Sequence, residues 1–447
     1  MILTRPLRKP FWILSSFVKK QKKVILTAAG LGFFIFIFTQ RLLPLIPKPS
    51  PQIKIGLVGS YSLNSLPSSI SQTISRGLTK IDGSNQVKPD IAESWEILEE
   101  NTLLRFYLKP DVLWNDDTLL VSSDIKYEIP NVEIRYPNPK VIEFKLKEPF
   151  SPLLTLLAQP IFKDNSVSAG SYTIKKVQYK GSYLKSLELV GKQDKLSYRF
   201  YPSNQAAWLG FKLGEVDQLR NLIINPLSDN WQKKVDLIES VNQQQYLAII
   251  FNNKDPQLSV KPLRQALAYA TKNKSPNSQS RALTPISPLS WAYNSHVKPY
   301  EYNQSQAKDL YNKFEEEASV SGKLKISLGT SQSFLALAET IANDWKEVLP
   351  VEVEVKIINT IENDYQALLI AQEIPLDPDQ HALWHSTQNS NISHYSDLQI
   401  DKLLEDGRKE ANQTKRLEIY RDFQRFIVED SPAIFLSHPT TYTISRK

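Results

Sequence analysis

The sequence predicts a mixed α/β fold in two lobes, preceded by one membrane-spanning helix. Three observations carry this. Strand patterns alternate with helical patterns along most of the chain. The 447 residues, 41% hydrophobic and 23% charged, suffice for two sizeable cores. Near the N-terminus an apolar run as long as a bilayer core follows a group of lysines.

The apolar run comes first in the chain. Val24 to Phe38 (VILTAAGLGFFIFIF) holds no charge, and after Thr39, Gln40 and Arg41 the run resumes with Leu42, Leu43, Leu45 and Ile46. A spanning helix needs about 20 largely apolar residues, so 24–46 is long enough with Arg41 snorkelling to the interface. A buried core helix and a signal-peptide core are the competing readings. A signal core is shorter and ends in a small-residue cleavage site that does not follow here, so an uncleaved anchor is expected. Lys19, Lys20, Lys22 and Lys23 precede the run, and positive charge stays in the cytoplasm. Residues 1–23 are therefore expected inside, with Phe11, Trp12, Ile13, Leu14, Phe17 and Val18 as a short interfacial segment. The remainder is expected outside a single-pass cell-membrane anchor. Residues 47–52, which begin within the proline-rich stretch PLIPKPSP (44–51), read as an extended linker.

Charge separates the same two parts. Nine of the 54 Lys and Arg lie in residues 1–50, which hold no Asp or Glu. The rest carries 45 basic against 47 acidic residues, a net of −2. A near-neutral body gives no phosphate-binding surface, and no nucleic-acid partner is expected. There is no cysteine, which excludes disulfides, thiolate catalysis, cysteine-ligated zinc and a lipidated cysteine. Any membrane attachment must come from the polypeptide itself.

In the body, strand patterns occur at Ile53 to Val58, Leu104 to Leu108, Val141 to Leu146, Ser186 to Val190, Tyr246 to Phe251, Leu324 to Leu328 and Val351 to Ile357. Helical patterns occur at Val260 to Ala270, Gln306 to Glu317, Phe334 to Val348, Ile400 to Ala411 and Lys415 to Val428. In the last, Leu417, Tyr420, Phe423, Phe426 and Ile427 recur at helical spacing and are read as core. Ser431-Pro432 ends that helix, and Pro432 to Ile444 reads as returning strands.

Residues Val87 to Asp124 (VKPDIAESWEILEENTLLRFYLKPDVLWNDDTLLVSSD) resemble the extracellular solute-binding family 5, the dipeptide-, oligopeptide- and nickel-binding components of ABC importers. Pro89, Ala92, Glu93, Ser94, Trp95, Val112, Trp114, Asp116 and Asp124 stand at matching positions. Asp117 replaces the family's usual Gly, and Leu119 its usual Pro. In family order follow Gly170 to Ile174, the turn Gly214-Glu215-Val216-Asp217, the helix Val260 to Ala270, Pro285 to Asn294, Tyr302 to Leu310, Leu383 to Tyr395, and Tyr395 to Leu404. The resemblance implies a type II periplasmic-binding-protein-like clamshell, with lobe I at 53–250 plus 432–447 and lobe II at 251–431. Crossing strands are then expected near Tyr246 to Asn253 and Asp430 to Phe435. A helical insertion usual after the Asp124 position is missing, and the stretch after Tyr269 is short.

A receptor for peptides needs a carboxylate for the α-amine, backbone groups for the extended chain and roomy side-chain pockets. Glu373 and Asp377, with Asp379, are the candidate carboxylates, because Leu376 to Asp379 resembles the Gly-Asp-Pro-Asp stretch beside the family's amine-binding Asp. The competing reading makes them turn residues and helix caps. Ser60, Tyr61 and Ser62 follow the carboxyl end of the first strand, where α/β sheets present ligand groups. Trp291, Trp384 and Tyr395 are candidate pocket walls, whereas Trp95 and Trp114 are assigned to the core.

Enzymatic readings have less support. His381 and His385 are spaced as in a zinc helix, but Ala382 stands where a zincin has its Glu, and His394 is the one nearby third ligand. Ser123 and Lys126 form an S-x-x-K without its companion motifs. No metal or other cofactor is expected. The leading expectation is an oligopeptide receptor that docks on ABC permease subunits and is not an enzyme. The alternatives are a non-transporting structural or sensory member of the fold and, third, a membrane-anchored hydrolase.

Overall fold

A computed structural model describes residues 19–42, 51–163, 167–275, 278–318, 323–358, 360–361 and 365–447. The expected interfacial segment at 11–18, the end of the anchor at 43–46 and most of the linker lie outside the described residues. The chain divides into two compact units, Met1–Pro51 and Gln52–Lys447.

In the first unit one helix spans Lys22–Leu42, and its 21 residues reach about 31 Å at 1.5 Å per residue. Leu31, Phe33, Phe34 and Phe36 are exposed. The Thr27 and Thr39 hydroxyls donate back to the Lys23 and Phe36 carbonyls, so neither hydroxyl needs water. The helix is long and apolar enough to cross a membrane.

The second unit begins with Gln52–Val58, near the centre of a seven-stranded sheet. The strand order is Val235–Val241, Thr440–Arg446, Gln218–Leu222, Gln52–Val58, Lys195–Tyr201, Tyr183–Gly191, Tyr172–Lys180. Gln52–Val58 is parallel to both neighbours. At Gly56 an added Cβ would stand 2.6 Å from a Leu219 methyl, so glycine lets the adjacent side chain close over the strand.

A four-stranded antiparallel sheet (Ala92–Leu98, Leu103–Leu108, Val141–Leu146, Val132–Asn138) packs its own core around Phe106, Trp114, Ile142 and Phe144. Trp114 is buried as expected, its indole N–H donating to Asp124 at 3.0 Å. Asp117, which replaces the family glycine, sits at φ +62° in the turn after Trp114. Asp is among the few residues with a side chain that tolerate this left-handed region, so the turn survives the exchange. The strands Thr79–Ile81 and Val87–Pro89 form a small separate ribbon.

The third large layer is a five-stranded sheet ordered Val351–Ile357, Leu324–Thr330, Ala367–Glu373, Gln245–Phe251, Ala433–Ser437. The helices Lys261–Ala270, Gln304–Ala318, Leu335–Val348, Leu398–Lys409 and Gln413–Asp430 bury Leu263, Leu267, Phe314, Trp345, Tyr420, Phe423 and Ile427 in its core. Each lies within two or three residues of its expected span.

The crossings differ from expectation. The chain passes between the two large sheets at 242–244 and 438–439, whereas the boundary expected at 250 falls inside the strand Gln245–Phe251 and that at 432 falls just before Ala433–Ser437, both in the five-stranded sheet. The reason is burial. The run Tyr246 to Phe251 is buried throughout, and a strand apolar on both faces belongs inside one sheet, while the polar Asn242-Gln243-Gln244 tolerates the crossing. There Asn242 N–H donates to the Pro439 carbonyl at 2.9 Å, and His438 Nδ1 lies 2.8 Å from the Gln245 carbonyl.

Candidate ligand cleft

A pocket of about 380 Å³ lies between the four-stranded sheet and the C-terminal helices, within the ~300–1,000 Å³ range of small-molecule sites. One wall is built by Val87, Lys88, Trp95, Ile97, Leu104, Phe150 and Thr155. Trp291, Leu376, Asp377, Gln413 and Arg416 build the other. Trp95 and Ile97 are two apart on one strand and so share a face, with Leu104 opposite Ile97. Trp95, expected in the core, is only partly buried and lines this pocket, because its strand is the sheet's edge.

Asp377 lies in the pocket wall, but its oxygens are occupied. Arg416 donates from Nη1 to Oδ2 at 3.0 Å and from Nη2 to Oδ1 at 2.5 Å. Thr155 Oγ1 reaches Oδ2 at 3.3 Å, and the Asp379 N–H reaches Oδ1 at 2.9 Å. A carboxylate offers about four acceptor positions, so none remains for a ligand ammonium. Burial opposes the charge of Arg416, and Asp377 and Tyr420 more than offset it, so the guanidinium stays protonated. Asp379 faces Arg408 at 3.1 Å and caps the turn at His381. Burial raises its pKa and Arg408 works against that rise. Both aspartates therefore fit the turn-and-cap reading, each held by an arginine that sequence reasoning did not find. For Arg416 a signal existed: in the helix Gln413–Asp430 it stands four, seven and eleven residues before Tyr420, Phe423 and Ile427, on the buried stripe.

Glu373 differs from Asp377. It is exposed at the end of Ala367–Glu373, paired in register with Gln245 beside the crossing. Among the described residues no Lys, Arg or His comes within ion-pair distance of it. Tyr61 sits close enough that Glu373 adds to burial in raising its phenol pKa. The Tyr61 hydroxyl donates to the Val58 carbonyl at 3.2 Å, and its ring lies 5.3 Å from Phe200. Ser60 is exposed beside it. The structure thus leaves Glu373 near enough to Tyr61 to act on its phenol, and separately brings Trp291 and Asp377 to one pocket.

Trp384 and Tyr395 are in the core rather than at the pocket wall. Trp384 packs 6.2 Å from Phe435, and the Tyr395 hydroxyl donates to Asp430. His381 and His385 stack at 4.1 Å, and His385 lies 3.4 Å from Glu405. His394 stacks instead on Tyr365, and no group of three ligating side chains able to hold a metal occurs among the described residues. Ser123 and Lys126 are exposed.

Contacts missed by the sequence tie the pocket's walls together. The Ser151 N–H donates to the Arg408 carbonyl at 2.8 Å, and its hydroxyl to the Glu410 carbonyl at 2.6 Å. Glu148 meets Lys409 at 3.4 Å, and Arg408 stacks 4.9 Å from the Phe150 ring.

Comparison with known proteins agrees with this architecture. The profile for bacterial extracellular solute-binding proteins, family 5 Middle, matches residues 128–393. The oligopeptide-binding protein AppA of Bacillus subtilis is 23% identical across 89% of this chain and 88% of its own length. The dipeptide-binding protein of Escherichia coli is 22% identical across 82% and 83%. Among solved structures, NikZ of Campylobacter jejuni with Ni(L-His) superposes at TM-score 0.72 and 20% identity, covering 90% of this chain and 95% of that one. AppA of B. subtilis bound to a nonapeptide superposes at 0.68, also at 20% identity, covering 90% and 95%. These are two-lobed, type II periplasmic-binding-protein folds, and the likeness extends across the body. The profile match over more than half its length shows that the chain belongs to family 5 of the bacterial extracellular solute-binding proteins, a family of solute receptors rather than enzymes.

Proposed function

We propose that the chain is a membrane-anchored, extracytoplasmic receptor that captures a short peptide and hands it to the permease subunits of an ABC importer. The observation that carries the reading is Glu373: an exposed carboxylate, without a cationic partner among the described residues, beside the crossing between the two large sheets and near enough to Tyr61 to raise its phenol pKa. Such a carboxylate suits a ligand α-amine, and closure over the ligand adds desolvation that strengthens the pair. The pocket at Leu376 and Asp377 begins three residues further on, within ~10 Å of extended chain, a fitting distance for a side chain of the same ligand. The relatives support a peptide: AppA is an oligopeptide-binding protein, and the E. coli relative a dipeptide-binding one. The nickel-bound neighbour raises a chelate as a ligand, but the lining of this pocket holds no histidine, and its one carboxylate, Asp377, is taken by Arg416.

The apolar helix Lys22–Leu42 supports an uncleaved anchor that leaves the body outside, with lysines on its cytoplasmic side. Washing cell membranes with alkaline carbonate tests it: an anchored chain stays in the pellet at full mass, and a cleaved one is released shorter. Thermal unfolding of the full-length chain in detergent against mixed peptide pools and nickel chelates tests the ligand. A peptide-dependent rise in midpoint that Glu373→Gln abolishes supports the receptor, since a ligand of the folded state stabilises by mass action. No rise with any pool favours the structural or sensory reading.

A further inference from the structure

Charge in the pocket wall is one-sided. Its ionisable members are Lys88, Arg416 and Asp377, and Asp377 is consumed by Arg416, Thr155 and the Asp379 N–H. Lys88 donates to the Gln86 side chain at 3.1 Å, and among the described residues the one acid within ion-pair distance of it is Asp82, at 3.9 Å. The wall thus presents one cation in excess and no free carboxylate. Between these charges Trp95, Phe150 and Trp291 supply aromatic surface, and Arg416 stands 5.7 Å from the Trp291 ring. That stacking holds the indole and gives Arg416 a second constraint besides its ion pair.

We propose that this pocket takes an uncharged aromatic or branched aliphatic side chain of the bound peptide and rejects lysine and arginine. The inference rests on the peptide-receptor reading and adds its selectivity. A phenyl or isobutyl group entering here is removed from water against indole and aliphatic surface. An ammonium or guanidinium entering here loses its hydration, meets Lys88, and finds Asp377 already saturated. A cationic side chain meets no free carboxylate in this lining unless it breaks the Arg416 pair, which leaves a buried guanidinium unpaired. The volume of about 380 Å³ admits the largest aromatic side chain, so size does not set the selection and charge does.

The test is a competition series on the full-length chain in detergent. Tetrapeptides of alanine carry a single Phe, Leu, Lys or Arg at each position in turn and displace a fluorescent peptide taken from a binding pool. The expected result is one position at which Phe and Leu bind at least about tenfold more tightly than Lys and Arg, equivalent to ~1.4 kcal/mol. Lys88→Glu should narrow that gap by admitting Lys, and Trp95→Ala should weaken a Phe peptide more than an all-alanine one. Peptides that bind with equal affinity for Phe and Lys at every position overturn the selectivity and leave the receptor reading standing. A chain that binds no peptide overturns both. Preference for Lys or Arg at the position that responds to Trp95→Ala contradicts the charge argument directly.

Discussion

Arg416 and Asp377 form a two-pronged ion pair, Nη1 to Oδ2 at 3.0 Å and Nη2 to Oδ1 at 2.5 Å, with both side chains about nine-tenths buried. The pair sits in the pocket wall, joins the last long helix to the segment after Ala367–Glu373, and receives Thr155 from the opposite wall. It fixes the shape of the cleft rather than offering a charge to a ligand.

Removing half of the pair should therefore cost stability. Asp377→Ala leaves the buried guanidinium without its counter-charge, and a loss of about 3–5 kcal/mol is expected in urea unfolding. The double change Asp377→Leu with Arg416→Met should recover most of that loss, because no charge is then left stranded. Glu373→Ala, at an exposed position, should move stability by no more than about 0.5 kcal/mol.

Ligand binding should show the reverse order. Glu373→Gln is expected to weaken peptide binding at least about tenfold, as loss of a charge-assisted contact does. Tyr61→Phe should have a smaller effect, since Tyr61 keeps its proton in the working pH range and spends it on the Val58 carbonyl. Titration calorimetry of the two variants separates these contributions.

Ser151 and Thr155 act as a clasp across the pocket, bonded to the Glu410 carbonyl and to Asp377. The double variant Ser151→Ala, Thr155→Val should shift the unliganded chain toward an open form. Small-angle scattering would register this as a larger radius of gyration without ligand, returning to the wild-type value with saturating peptide. Apparent affinity should fall by the fraction of closed form lost.

Acidification should destabilise the fold through histidines that it keeps neutral. Burial, then Arg408 and His385, lowers the His381 pKa from 6.5 to about 4, while Glu405 and Asp401 oppose the shift. Burial and Arg281 lower that of His438, against the opposing pull of the Gln245 carbonyl. Both remain neutral in the fold where the unfolded chain already binds a proton. For His381, stability is complete above pH 6.5 and falls as pH drops from 6.5 towards 4. Urea midpoints between pH 7 and pH 5 should decline, and His381→Gln should flatten that decline.

The long elements were legible in the sequence because their periodicity is strong: the strands Val141–Leu146 and Val351–Ile357 coincide with their expected spans, and Lys261–Ala270 begins one residue late. What periodicity does not carry is which sheet an apolar run joins. Tyr246 to Phe251 reads equally well on either side of a crossing, and only its burial on both faces assigns it. Nor does local sequence reveal a partner that lies far along the chain. Asp377 and Glu373 look alike in QEIPLDPDQ, and Arg416, 39 residues away, makes one a structural pair and leaves the other exposed. Trp95 was misread for a related reason, since a tryptophan on an edge strand faces core or cleft according to what packs across it.

The central claim is that Glu373 receives the α-amine of a peptide. Titration calorimetry of the full-length chain with a binding tetrapeptide and its N-acetylated twin tests it most directly. Acetylation is expected to weaken binding to the wild type at least about tenfold, and Glu373→Gln to bind both peptides equally weakly. Equal affinity of the wild type for the free and acetylated peptides would contradict it.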